Sequence, residues 1–245
     1  MPYHESHWWL CLCVALIAWL YASVGHAGAS GYIAVMSLFG IAATEIKPMA
    51  LVLNILVASV ASIQFYRAGH FSWKLFGPFA VTAVPMAFLG GRLSLPSQWL
   101  QTLLGLILAS SALWFLRPTP DVEIAKTPSI GIALLVGAAI GLLAGLTGTG
   151  GGIYLTPVLL MMHWSKTKTA SAVSAVFILL NSISGLAGLW SGGGGIPLDV
   201  WPLLISVFLG GSVGATLGSY RLPVRAVRFL LAVVLLVAAT KLLFT

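Results

Sequence analysis

The sequence predicts an all-α polytopic membrane protein made of two inverted repeats, each a glycine-broken helical hairpin followed by three transmembrane helices. Three observations predict it. The 245 residues are 59% hydrophobic and only 7% charged, whereas soluble domains carry about 25% charged residues. Uncharged stretches recur at bilayer length, and a spanning helix needs roughly 20 apolar residues. Two glycine-rich breaks, Gly25-His26-Ala27-Gly28-Ala29-Ser30-Gly31 and Thr147-Gly148-Thr149-Gly150-Gly151-Gly152, interrupt two very long uncharged stretches at corresponding places in the two halves. Irregular backbone survives at membrane depth only where it is buried in protein or lines a cavity. Matched breaks in two halves therefore point to a transporter's binding site.

The elements follow in order. Trp8–Val24 reads as a retained first helix rather than a cleaved signal, because no Lys or Arg precedes it as a secretory leader requires. The uncharged stretch around each glycine break, Ser6–Thr44 and Ser129–Ser165, is too long for one crossing. Each crosses twice with short helices or dips in and returns. Three spans then follow in each half: Pro48–Tyr66, Trp73–Gly91 and Gln98–Leu116, then Thr169–Trp190, Asp199–Ser219 and Val224–Phe244. The polar, proline-bearing stretch Arg117–Pro128 reads as an exposed connection. The organisation is a first membrane repeat over 1–116, a linker over 117–128 and a second repeat over 129–245.

The halves echo one another. Asn54 and Asn181, Gly91 and Gly218, and Leu95-Pro96 and Leu222-Pro223 keep a common offset of 127 residues. The glycine breaks align at a slightly smaller offset, which predicts a short gap between them and the asparagines. Either form of the hairpin gives each half an odd number of crossings, which inverts the second half. Inversion gathers Arg67, Lys74, Arg117, Lys126, Lys166, Lys168, Arg221, Arg225 and Arg228 on one side, leaving Lys47, Arg92 and Lys241 on the other. The positive-inside rule favours that arrangement, with both termini outside the cytoplasm.

The net charge of +7 does not indicate nucleic acid, because the cations are scattered at helix ends with no aromatic interleaving. Cys11 and Cys13, two apart in the first helix, point to different faces and read as packing residues. The tryptophans, including Trp8, Trp9, Trp73, Trp99, Trp164, Trp190 and Trp201, fall mostly at span ends and read as interfacial anchors. No ATP-binding motif is present, and no pattern calls for a cofactor, a metal or a catalytic residue.

The candidate site uses backbone more than charge. A helix start carries free N–H groups and a partial positive charge, so two starts at mid-membrane can hold an anion. Gly25, Gly28 and Gly31 in the first break, and Gly148, Gly150, Gly151 and Gly152 in the second, let backbone approach a ligand. Ser30, Thr147 and Thr149 offer hydroxyls. Close packing of small residues is the bland alternative for such glycines. Asn54 and Asn181 are polar groups mid-helix that must find partners; they cap broken backbone or touch ligand. His26, whose counterpart is Thr149 or nearby, could bind an anion or move a proton, or simply bond a freed carbonyl. Glu45 lies beside Lys47, and an ion pair is its simplest role. His4, His7, His70 and His163 sit near span ends and read as interfacial.

These residues resemble a known family. Gly148-Thr149-Gly150-Gly151-Gly152, followed by Pro157 and Leu159, is similar to the G-x-G-G-G-x(4)-P-x-L motif of the TauE/SafE sulfite-exporter family. The helix carrying Val173-Ser174-Ala175 and Leu180-Asn181-Ser182 also resembles it, and Ser174 joins the candidate site on that ground. The first break keeps the small residues but lacks the triple glycine and the proline. The resemblance implies transport of a small sulfur-containing anion, such as sulfite, a sulfonate or a related organosulfur acid, across the inner membrane. Lipid is the surrounding partner, coupled protons are an expectation resting on His26, and a homodimer is compatible with the reading. An anion channel would use the same residues. A further rival is an intramembrane serine protease, because Gly28-Ala29-Ser30-Gly31 spells G-x-S-G, but it would need a histidine within reach of Ser30.

Overall fold

A computed structural model of the chain describes residues 3–93, 98–116, 125–195 and 200–244. Among these the regular structure is helical. The first half contains α1 (Tyr3–Ala22), α2 (Ala29–Leu38), α3 (Ala43–Arg67), α4 (Trp73–Arg92) and α5 (Gln98–Leu116). The second contains α6 (Ile130–Thr147), α7 (Gly152–Met161), α8 (Thr167–Ser191), α9 (Trp201–Thr216) and α10 (Val224–Phe244), with a π-helical turn, Leu217–Arg221, extending α9. Of the sequence expectations, Leu95-Pro96, the linker residues 117–124, Asp199 and the side chains of His4, His7 and Trp99 lie outside the described residues.

The chain is a multi-pass membrane protein. Among the described residues five helices, in α3, α4, α6, α8 and α9 with its π turn, are long and apolar enough to cross a bilayer. Their outer faces are apolar: Leu135 is 72% and Val81 69% exposed, which suits lipid and not water. Trp73, Trp190 and Trp201 are exposed at helix ends, as interfacial anchors should be.

Helix α3 begins five residues before the predicted span, at Ala43 rather than Pro48. Glu45 and Lys47 are polar residues of its first turns, not markers of its outside. Two positions apart on a helix, they point to different sides. Glu45 is exposed, while the Lys47 stem packs toward Gly148.

The halves share one plan. Helices α2 and α7 have 10 residues each, and α3 and α8 have 25 each. Swapping the halves also maps the packing onto itself: α1 lies on α9 as α6 lies on α4, α3 on α9 as α8 on α4, and α3 meets α8 while α5 meets α10. The expected gap between breaks and asparagines is one residue, five between α7 and α8 against four between α2 and α3. Most of the offset change comes after α3 and α8, where the α8–α9 connection is longer than α3–α4. Asn54 is consequently the twelfth residue of α3 and Asn181 the fifteenth of α8, almost one turn out of register.

Glycine sets the closest of these contacts. On α9, Gly210, Gly214 and Gly218 rest on the carbonyls of Ala15, Trp19 and Ser23 of the first helix and its end. On α6, Gly137, Gly141 and Gly145 rest on the carbonyls of Phe79, Ala83 and Ala87 of α4. Every fourth residue small is how membrane helices approach without a hydrophobic drive between them. Hydroxyls add to the grip: Thr82 Oγ1 donates to the Leu134 carbonyl at 2.7 Å, and Ser184 Oγ to the Val84 carbonyl at 2.6 Å.

Helices α3 and α8 form the centre, with 61% and 56% of their spanning windows buried against 33–39% for the other three. Helices α2 and α7 start buried and end exposed, at Leu38 and at Met161-Met162. At 1.5 Å per residue each reaches about 15 Å, half of a hydrocarbon core. Their first turns therefore lie inside the protein against the central pair.

Candidate functional site

Both short helices begin on a glycine in the left-handed region, Gly28 at φ 104° for α2 and Gly151 at φ 84° for α7. Neither start is capped by a side chain. A helix leaves its first N–H groups without intrahelical partners. The second break needs two further left-handed glycines, Gly148 at φ 73° and Gly150 at φ 74°, a conformation costly for any residue with a Cβ.

Gly150 is the meeting point of the two asparagines. Asn181 Nδ2 donates to the Gly150 carbonyl at 3.5 Å. Asn54 Nδ2 lies 3.2 Å from where a Cβ on Gly150 would stand, and it donates to Ser182 Oγ at 3.4 Å. Both asparagines are buried, and the Oδ1 atom of each has no hydrogen-bond partner. The carboxamides thus serve the broken backbone through nitrogen and leave their oxygens uncommitted.

Elsewhere in the site, the first break reaches the second half. His26 is buried, with Nδ1 bonded to the Val24 carbonyl at 3.1 Å and Nε2 to Thr156 Oγ1 at 3.4 Å. A carbonyl only accepts, so Nδ1 carries the proton. Thr156 Oγ1 also pairs with Ser174 Oγ at 2.6 Å. This chain joins the first break, α7 and α8 in one polar line. Thr147 and Thr149 form a third cluster: Thr147 Oγ1 donates to the Leu143 carbonyl at 2.7 Å, so the 2.8 Å contact with Thr149 is a bond donated by Thr149. The Tyr154 hydroxyl lies beside this pair without a well-formed bond.

The remaining sequence-predicted residues have structural partners. Gly25 touches the Ser171 carbonyl and Gly148 the Lys47 stem. These are equivalent contacts, since Lys47 and Ser171 are each the fifth residue of a central helix. The Tyr32 ring covers Gly28, and its hydroxyl donates to the Ala27 carbonyl. Gly31 packs on Ile17, and Gly151 on Ile140, Phe177 and Ala144. Ser30 Oγ pairs with the Tyr21 hydroxyl at 2.9 Å, and Tyr21 also reaches the Val234 carbonyl of α10 at 3.3 Å. The serine of the G-x-S-G string is therefore held by a phenol. His163, the histidine a protease reading would recruit, is exposed past the end of α7.

Thr156, Tyr21 and Ser171 join the site from outside the sequence reading, and Ser182 and Lys47, which the sequence reading named in other connections, join it too. Thr156 lies one turn after Gly152 on α7, and that spacing is the signal that could have found it. Ser182 adjoins Asn181. Nothing local marks the others. Taken together, the site offers uncapped N–H groups, hydroxyls, carboxamides and one imidazole, and no carboxylate among its residues. Such a set can hold a small oxyanion by hydrogen bonds and helix-start dipoles.

Known proteins resemble this chain. The family model described as sulfite exporter TauE/SafE matches residues 10–242. A probable membrane transporter protein of Sinorhizobium fredii is 41% identical over 242 residues, covering 96% of this chain and 97% of that protein. A probable membrane transporter protein of Methanocaldococcus jannaschii is 28% identical over 137 residues, 54% of this chain and 51% of that one. No solved structure matches the chain.

Proposed function

The chain belongs to the sulfite exporter TauE/SafE family, and on that footing we propose that it is a secondary membrane transporter. It moves a small sulfur-containing anion, such as sulfite or a sulfonate, across the inner membrane by alternating access about the two breaks. One observation carries the reading. Four of the five buried side-chain atoms without partners among the described residues lie at the breaks, with Ser62 Oγ further along α3 as the fifth: the Ser171 and Tyr154 hydroxyls can donate to an anion, and Asn54 Oδ1 and Asn181 Oδ1 can accept from water. Buried polar atoms are ordinarily bonded, and orphans concentrated at two uncapped helix starts suit a place where solute and water come and go.

The two repeats, 1–116 and 129–245, are taken as inverted. The charge distribution supports this, and so does the exchange symmetry of the packing. Alternating access would expose the site to either side in turn; because glycine seams tie α1 to α9 and α4 to α6 across the repeats, the moving bodies would cross the repeat boundary rather than follow it. The tyrosine on Ser30 argues against the protease reading. A channel is less well supported, because the starts of α2 and α7 are buried and pack on continuous α3 and α8.

The test is thermal stability of the purified protein against sulfite, thiosulfate, sulfoacetate, taurine, sulfate, phosphate and lactate, repeated with Gly151→Leu and Asn181→Ala. A saturable shift confined to sulfur anions and lost in the variants supports the proposal. A shift with carboxylates or phosphate alone rejects the sulfur assignment, and no shift with any anion rejects the site.

A further inference from the structure

We propose that the second break also binds a monovalent cation, sodium, through the oxygens of Asn54 and Asn181 with Ser182 Oγ beside them. The inference deepens the transporter reading and rests on it, because it names the coupling ion of the same site.

The orientation of the carboxamides is the starting point. Asn181 Nδ2 faces the Gly150 carbonyl. Exchanging its nitrogen and oxygen would set two acceptors against each other, so Oδ1 must point away from that carbonyl. Asn54 Nδ2 faces Ser182 Oγ; a hydroxyl accepts or donates, so here the orientation follows from the structure and not from the partner's chemistry. Two acceptor-only oxygens remain, on residues 0% and 1% exposed, without a donor to either. An anion cannot satisfy them. A donor or a cation can. The carbonyls of Gly148 and Thr149 accept no backbone N–H among the described residues, which adds oxygens of the same kind at the same break.

The chemistry of the set selects the ion. All these oxygens are neutral, and the described residues contain no group of three or more His, Cys, Asp or Glu side chains that could hold a metal ion. Divalent cations are held largely by carboxylates, so a neutral oxygen cage suits a single positive charge. Electrostatics supplies the reason for having one. An anion taken to membrane depth carries a large desolvation cost, which an adjacent opposite charge offsets. The lysine of α3, Lys47, is seven residues from Asn54, about 10 Å along the helix, and its stem lies on Gly148 rather than on Gly150. A cation between the asparagines would stand close to the uncapped start of α7, where the anion would bind. Unwound backbone and half-helix ends serve coupling ions in this way in other transporters.

The experiment is thermal unfolding of the full chain in detergent, titrated with sodium chloride at constant ionic strength against N-methylglucamine chloride, with and without sulfite. Potassium chloride runs in parallel. We expect a saturable stabilisation by sodium that lowers the sulfite concentration needed for half-effect. In Asn181→Ala the half-saturating sodium should rise about tenfold or more, and Asn181→Asp, which keeps an oxygen, should restore sodium dependence. Equal curves in sodium and N-methylglucamine, or unchanged sodium dependence in Asn181→Ala, overturn the cation site. If sulfite still stabilises in that case, the transporter reading survives. If Asn181→Ala does not fold, sodium dependence absent from Asn181→Asp overturns the proposal by itself.

Discussion

His26 and Thr156 join the two halves at membrane depth, imidazole Nε2 to hydroxyl at 3.4 Å across 130 residues of sequence. The same threonine holds Ser174 at 2.6 Å, so a residue of the first break is wired to both α7 and the central helix α8. An alternating-access movement that shifts the first break against α7 and α8 would stretch or break this line. On the proposed mechanism we expect it to act as a latch for one of the two states.

His26→Phe should break the latch while keeping a ring in the same space. It leaves the Val24 carbonyl and the Thr156 hydroxyl short of a partner, at a cost of about 1–3 kcal/mol. We expect a lower Tm and a sulfite response weakened in proportion to the lost state preference. Thr156→Ser, which keeps the hydroxyl, should stay near wild type. A His26→Phe protein with unaltered Tm and sulfite half-effect would remove the latch.

The glycines of the second break separate conformation from space. Gly148 and Gly150 have nearly the same positive φ, 73° and 74°, so alanine strains the backbone equally, by about 1–2 kcal/mol. Their surroundings differ. A Cβ on Gly148 would meet the flexible Lys47 Cγ at 3.1 Å, whereas on Gly150 it would meet Ile178 Cγ2 at 2.6 Å and Ser182 Oγ at 2.9 Å. Gly148→Ala should therefore cost little beyond the strain, and Gly150→Ala should also lose anion binding. Equal losses in Tm and in sulfite shift for the two would show that only backbone strain matters here.

How much is legible in the sequence depends on the scale. Span positions are readable because uncharged length and terminal tryptophans report them directly, and α4, α5 and α10 begin where the sequence suggests. The start of α3 is not, because Glu45 and Lys47 have the character of residues outside a span while lying within the helix. The register of the asparagines is hidden for another reason. Matching one offset across both halves cannot reveal that the α8–α9 connection is longer than α3–α4. Contacts between halves, such as His26 with Thr156 or Gly148 with Lys47, carry no local pattern at all. The glycines do stand out, yet the sequence does not divide those that strain the break from Gly31, which packs on Ile17.

Ser30 offers a test of that division. Its hydroxyl pairs with Tyr21, and Tyr21 bonds the Val234 carbonyl, so the group ties α1 and α2 to α10. Ser30→Ala should lower stability by about 1 kcal/mol and leave the sulfite half-effect unchanged. Tyr21→Phe should cost more, about 1–3 kcal/mol, because it also strands a buried carbonyl. Loss of the anion response in Ser30→Ala at normal Tm would return this serine to the binding site.

The glycine seams make the sharpest stability contrast. Gly214 on α9 rests on the Trp19 carbonyl, and backbone cannot give way as a side chain can. Any Cβ there must push α1 and α9 apart along a seam that Gly210 and Gly218 continue. Overpacking of this kind costs about 1–3 kcal/mol even in adaptable cores, and a leucine should cost more. Gly131, at the exposed start of α6, has open space within 4 Å of where a Cβ would stand. Leucine at Gly131 should leave expression and Tm near wild type, while Gly214→Leu should give little folded protein. Detergent-extracted yield and size-exclusion profile decide between them. A monodisperse, normally stable Gly214→Leu protein would mean that α1 and α9 are free to separate, and that this seam is a sliding surface of the transport cycle rather than part of the rigid frame.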